Sequence, residues 1–291
     1  MFHFIVAEAP VIELVVQRTR LHVRGFSSLP AVPLIAFLFL LLGAYWFRSA
    51  PSGELALWIV LFSALISSIA GFAFSPIAGA ALFCCKSDPI VVVQILLVAS
   101  LAQQLYCVWL LRGQIKSFEF VPYLVGSLAT LPLGVFLLLN SRASILLPIL
   151  GIFLLSYGSF VAVKPAIAMC STNALLGRIL AGALGGITGG LAAFPAAFVA
   201  IWCQVQGFDK GRQRSIVQPF ILINQVVAVT VLSIAHPAAS PSMETIQYAA
   251  PAILGAHFGV QLFGKLSTSG FNRLVGAALA IAGILMVAKM L

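Results

Sequence analysis

Gln94, Ser100, Gln103, Gln104, Gln218, Asn224 and Gln225 are neutral polar side chains within otherwise apolar runs of this 291-residue chain. An amide both donates and accepts hydrogen bonds, and its NH2 group can hold the oxygens of an anion without adding a charge of its own. Inside hydrocarbon such a group is expensive unless bonded, so each needs a partner in the protein or in a ligand. The plainer use of any one of them is an interhelical hydrogen bond, worth about 0.6 kcal/mol on average in membranes. Their spacing argues for more. Gln94 and Ser100 are answered 124 residues later by Gln218 and Asn224, with Gln225 alongside, so the polar positions recur as a set.

Two further stretches can face an anion. Residues 70–76 read AGFAFSP and residues 189–195 read GGLAAFP. Glycine tolerates open backbone, while proline removes a donor and clashes with the preceding turn. Each stretch therefore breaks a helix and restarts it, and a restarted helix offers unpaired N–H groups at the positive end of its dipole. That arrangement binds anions. Gly71, Ser75 and Pro76 in the first stretch and Gly189, Gly190 and Pro195 in the second are the candidate binding residues. The competing use of these glycines is close helix packing, but two copies that each include a proline exceed what packing requires. His257, in the middle of a late apolar run, is a candidate proton relay beside its commoner role as a core histidine. Arg212 and Arg214, at the mouth of a helix, could gather anions, and read first as inside-positive anchors in one solvated loop with Asp209 and Lys210.

The elements that must position these residues follow from composition. The chain is 62% hydrophobic and 8% charged, with a mean hydropathy of +1.12. A soluble domain carries about 25% charged residues, so 7 acids and 16 bases cannot clothe this chain in water. It is an integral membrane protein. A spanning helix needs about 17–25 apolar residues. Nine apolar segments qualify, at 29–47, 55–85, 89–111, 120–139, 145–163, 179–204, 215–236, 248–264 and 271–291, and the first seven hold no Lys, Arg, Asp or Glu. The fold class is all-α, a polytopic transmembrane helix bundle. The segments 55–85 and 179–204 are the long ones, and they carry the Gly/Pro breaks. Open backbone survives in a bilayer only where protein or a water-filled cavity satisfies it, so these two are discontinuous or re-entrant.

The breaks also match each other. Gly71 and Pro76 recur as Gly190 and Pro195 after 119 residues, and Gly134, Gly151, Gly158 and Lys164 recur as Gly259, Gly276, Gly283 and Lys289 after 125. An ordered series in register points to a duplicated half. The repeats are 55–164 and 179–291, matched as far as Lys289, and residues 1–54 are a lead-in with one extra transmembrane helix. If both long segments cross fully, with the N-terminus inside, 10 bases fall on the inner side and 6 on the outer; if both return to the side they came from, the counts are 12 and 4. The second assignment obeys the positive-inside rule better. It gives each half three crossings and so inverts one half relative to the other. Gly/Pro-interrupted segments at corresponding positions of two halves are the best sequence pointer to a transporter's binding site.

Other classes find little footing. Met1–Glu8 has no basic region ahead of its apolar stretch, so it does not read as a signal peptide. The bases are scattered between apolar runs, with no basic stripe for nucleic acid. Cys84, Cys85, Cys107, Cys170 and Cys203 show no ligand spacing, and nothing calls for a metal or a cofactor. All seven acids lie in loops or the lead-in, and no HExxH or nucleophile motif appears, which argues against an enzyme. A drug/metabolite-type permease for another small metabolite is the alternative transporter, but it would lack the paired Gly-rich breaks.

Residues 182–190, GALGGITGG, followed by Pro195, Gly207 and Arg214, resemble the second-half signature of the sulfite exporter TauE/SafE permeases. Residues 68–76 are a thinner copy in which Gly71 alone represents the glycine cluster. The resemblance covers about residues 55–291. It implies a duplicated helical permease in the inner (plasma) membrane of a bacterium. Such a permease moves sulfite, sulfoacetate or a related sulfur-containing anion, and a homo-oligomer stays open. Its partners are then a small anionic substrate and the lipid bilayer.

Overall fold

Hydrocarbon offers a backbone no partner, so apolar runs close their N–H and C=O groups internally as helices. The computed structural model describes residues 54–71, 73–85, 88–113, 115, 118–141, 143–163, 174–237, 240–263, 280 and 283–284. Among the described residues the order is α1 (Glu54–Ala70), α2 (Phe74–Cys85), α3 (Pro89–Leu111), α4 (Val121–Asn140), α5 (Ala143–Val163), α6 (Ala174–Ala192), α7 (Ala197–Val205), α8 (Lys210–Ala235), α9 (Met243–Ile246) and α10 (Ala249–Phe263). No strand occurs among them. Among the described residues four helices are long and apolar enough to cross a membrane: Ile90–Leu110, Val121–Asn140, Ala174–Ala192 and Gly211–Ala235. The expected lead-in and first crossing, and most of the segment 271–291, lie outside the described residues.

Helix starts are written by caps as well as by apolarity. Asp88 accepts from the Ile90 N–H at 2.8 Å, with Pro89 at the head of α3. Asp209 accepts from the N–H groups of Gly211 at 2.8 Å and Arg212 at 3.1 Å. This cap corrects one expectation: residues 210–214 are not a solvated loop but the first turns of α8. Hydropathy marks the stretch that suits hydrocarbon, whereas the helix runs on to its cap. α6, too, extends beyond its apolar run, from Ala174, and takes Arg178 into the helix.

Small residues set the packing. α6 lies along α4 so closely that a Cβ on Gly182 would meet the Tyr123 carbonyl, one on Gly186 the Ser127 carbonyl, and one on Gly190 the Leu131 carbonyl. Thr130 Oγ1 donates to the Ala183 carbonyl across this seam at 2.6 Å. α10 lies along α1 in the same manner, with Gly255 on the Leu61 carbonyl and Gly259 on the Leu65 carbonyl. In both pairs the contacts rise together in number, so the helices run parallel. α3 and α8 run the opposite way: Ser100 meets Gln225, while Cys107 meets Arg214. Large apolar side chains such as Trp58, Phe62, Leu105, Leu133 and Phe136 are exposed, which is the surface a lipid-embedded bundle presents.

Candidate transport site

α1 ends at Ala70, and the chain turns through Gly71, whose φ of +87° is left-handed. The Gly71 N–H closes the helix on the Ser67 carbonyl at 2.5 Å, and α2 restarts at Phe74. α6 ends at Ala192, the left-handed residue is Ala193 at φ +53°, and α7 restarts at Ala197. The Phe194 N–H closes this end on the Thr188 carbonyl at 3.2 Å. The two left-handed residues are thus Gly71 and Ala193. Gly190, the residue that answers Gly71 in the sequence pattern, is helical and lies against the α4 backbone, where only a glycine fits. Gly189 faces the turn itself, since a Cβ there would stand 3.0 Å from the Pro195 Cβ.

The two turns meet. Ser75 and Pro76 from the first and Ala192 and Phe194 from the second line one recess, closed by Phe83, Leu96 and Leu154. Its walls are apolar apart from Ser75, which heads α2 and is 5% exposed. Phe194 is held by the rings of Phe153 and Tyr157, each with its centroid 6.4 Å away.

The amides expected at the site form a separate polar seam along α3 and α8. Gln225 Nε2 donates to Ser100 Oγ at 2.5 Å. Ser127 Oγ donates to Asn224 Oδ1, and Asn224 Nδ2 donates to the Phe220 carbonyl at 2.8 Å. Gln94 Nε2 donates to the Ser240 carbonyl at 3.2 Å. Gln218, with its oxygen turned toward Arg214, accepts from Nε at 2.9 Å and Nη2 at 3.3 Å. None of these amides is among the described residues that line the recess. Gln103 Nε2 donates to Ser67 Oγ at 2.6 Å and Ser68 Oγ at 2.9 Å. The Oε1 atoms of Gln103, Gln104 and Gln225 are buried without a hydrogen-bond partner. His257 lies on α10, with Nδ1 2.7 Å from the Tyr106 hydroxyl and Nε2 2.8 Å from the Gln261 amide nitrogen.

Arg214 corrects a second expectation. It is no surface anchor: its side chain is 6% exposed, and Nη2 donates to the Ser68 carbonyl at 3.0 Å. The signal was present in its register. Residues 214, 218 and 225 fall on one helical face, so a face that buries Gln218 and Gln225 buries Arg214 too. Arg212 behaves as expected of a charged flank, paired with Glu119 through two 3.0 Å bonds and lying over the Phe208 ring. Among the described residues no group of His, Cys, Asp or Glu could hold a metal ion.

Long apolar helices around a buried polar seam define a multi-pass membrane protein. Residues 55–286 match the sulfite exporter TauE/SafE family, and the chain belongs to that family, whose members are membrane permeases. Among curated proteins and solved structures, none matches the chain.

Proposed function

We propose that this chain is a secondary transporter that exports a small sulfur-containing anion, such as sulfite, sulfoacetate or a related organosulfonate, across the plasma membrane. The observation that carries this reading is the meeting of the two Gly/Pro turns in one recess. A carrier of a small oxyanion needs donors without fixed charge, and the restarted helices α2 and α7 direct N–H groups toward the turns. Gly71, Ser75, Pro76, Gly189, Gly190 and Pro195 shape these turns. Gln94, Ser100, Gln218, Asn224 and Gln225, in the seam along α3 and α8, are the groups that exchange their internal partners for the anion's oxygens as the two halves move. His257 is the competing route for a proton.

The antiparallel run of α3 and α8 supports re-entrant hairpins in inverted halves. If α6 and α7 together crossed the membrane, α3 and α8 would run in the same direction. The Glu119–Arg212 pair supports the same topology, because full crossings would put these two residues on opposite sides. The glycine contacts repeat in kind: Gly134 rests on the Ile187 carbonyl, and Gly259, its counterpart in the second half, rests on the Leu65 carbonyl. The N-terminus is then cytoplasmic.

Ligand-dependent thermal stability of the purified protein tests the substrate class. Sulfite and small sulfonates raise the melting temperature, and cationic metabolites leave it unchanged. Stabilisation by cations alone would overturn the proposal.

A further inference from the structure

Three buried amides in the polar seam each leave their oxygen unmatched. Gln103, Gln104 and Gln225 are each 1% exposed, and their Oε1 atoms find no donor among the described residues. The nitrogen ends of two of them are engaged: Gln103 Nε2 donates to Ser67 and Ser68, and Gln225 Nε2 donates to Ser100. The unmet capacity is therefore of one kind, acceptor oxygen. Gln103 and Gln104 lie one turn beyond Ser100 on the same face of α3, and Gln225 reaches Ser100 from α8. Side chains tilt toward the start of their own helix, and α3 and α8 are antiparallel, so Gln104 and Gln225 lean toward a common level of the seam. A buried acceptor left unpaired carries the full cost of its lost hydration, and the low dielectric around it raises that cost.

We infer that this seam selects a sulfur oxyanion that brings a hydrogen-bond donor of its own, an O–H or N–H, over one that offers acceptors alone. The inference rests on the transport reading above, in which seam residues including Ser100 and Gln225 take up the anion. It adds Gln104 to them and narrows the substrate class. Ser100 Oγ and the Gln225 NH2 group meet the anion's oxygens, and the Oε1 atoms of Gln104 and Gln225 accept from its donor. An anion without a donor turns its oxygens toward two carbonyl dipoles and leaves both unpaired. A site built around a substrate's O–H or N–H rejects the analogue lacking it far more strongly than an apolar pocket rejects a missing methylene. Hydrogensulfite and hydroxylated sulfonates fall in the favoured class. Sulfoacetate, ionised at both ends at neutral pH, does not.

The test uses the full-length protein in nanodiscs and isothermal titration with two probes of matched shape and charge, beside sulfite as a control. Methanesulfonate carries a methyl group on its sulfur, and sulfamate carries an amino group in the same place. Wild type is expected to bind sulfamate about tenfold more tightly than methanesulfonate. Gln104→Met keeps the length of the side chain without its amide, and is expected to lose most of that preference. A wild type that binds the two probes alike, or favours methanesulfonate, overturns the inference and leaves the transport reading intact. A folded Gln104→Met protein that keeps the full preference does the same. If that variant does not fold, Gln225→Met decides on the same terms. Binding of sulfite but of neither probe overturns the inference alone. Binding of no sulfur anion overturns the transport reading and this inference with it.

Discussion

Ser100 and Gln225 are hydrogen-bonded to each other and stand 125 residues apart in the chain. The sequence pattern pairs Ser100 with Asn224, the residue before Gln225. An axis relating the proposed halves would therefore pass close to this bond, between the antiparallel helices α3 and α8. A contact at the axis stays put while parts farther out move, which is what a carrier that rocks around a fixed site requires.

The meeting of the turns predicts reactivity. In a cysteine-free background, Ser75→Cys and Phe194→Cys are both expected to react with a small thiol reagent, and together to be joined by a short bifunctional one. Two inert positions beside reactive loop controls would rule out a shared, solvent-reached recess.

The left-handed turn residues predict an asymmetry in stability. Gly71→Ala forces a side chain into φ +87° and is expected to cost about 1–2 kcal/mol. Ala193→Gly relieves a similar strain at φ +53°, offset by added chain entropy of about 0.5–1 kcal/mol, and is expected to be neutral or mildly stabilising. Thermal unfolding in mild detergent reads both. Equal losses in the two variants would show that crowding, not backbone conformation, governs these turns.

Asn224 is bonded internally at both ends, so its role in transport has to be separated from its role in packing. Asn224→Leu is expected to reduce anion flux about 5- to 150-fold, the equivalent of losing a donor worth about 1–3 kcal/mol to the ligand. Ser127→Ala removes the same internal bond while leaving the amide in place, and is expected to keep most of the flux. Indistinguishable flux from the two variants would reduce Asn224 to a structural residue.

Glu119 and Arg212 are part-exposed, with side chains 30% and 43% accessible. Their ion pair is therefore worth about 0.2–1 kcal/mol at most, and Glu119→Gln should shift the melting temperature little. The pair matters more for topology. Single cysteines at 119 and 212 are expected to be labelled by a membrane-impermeant reagent from the same side, the cytoplasmic one. Labelling from opposite sides would replace the hairpins with full crossings.

The helical membrane fold was legible because the solvent imposes it: charge-free apolar runs of this length close their backbone groups internally as helices. The proposed breaks rest on Gly71, Pro76 and Pro195, each of which carries a backbone constraint in the residue type. The register of the second turn was hidden. An alanine gives no warning of positive φ, so the glycine match pointed to Gly190, whose missing side chain serves the packing on α4 instead. Arg214 was misjudged for a related reason. Counting charges at the ends of apolar runs treats every arginine as an anchor, and only the helical register with Gln218 and Gln225 reveals that this one turns inward.

The most direct test of the central claim is flux in proteoliposomes. None of the expected apolar segments contains a carboxylate, so the proposed carrier has no acidic relay inside the bundle and the membrane potential is left to drive export. One charge moved through 100 mV gains about 2.3 kcal/mol, enough for a gradient of roughly 40-fold in a monoanion. With a potassium potential set by valinomycin, flux of sulfite or a small sulfonate is expected to follow the voltage and to ignore a pH gradient at constant voltage. Absence of flux for every sulfur anion would contradict the transport claim. Concentrative uptake driven by a pH gradient alone, and abolished by His257→Ala, would replace the voltage-driven carrier with a histidine relay.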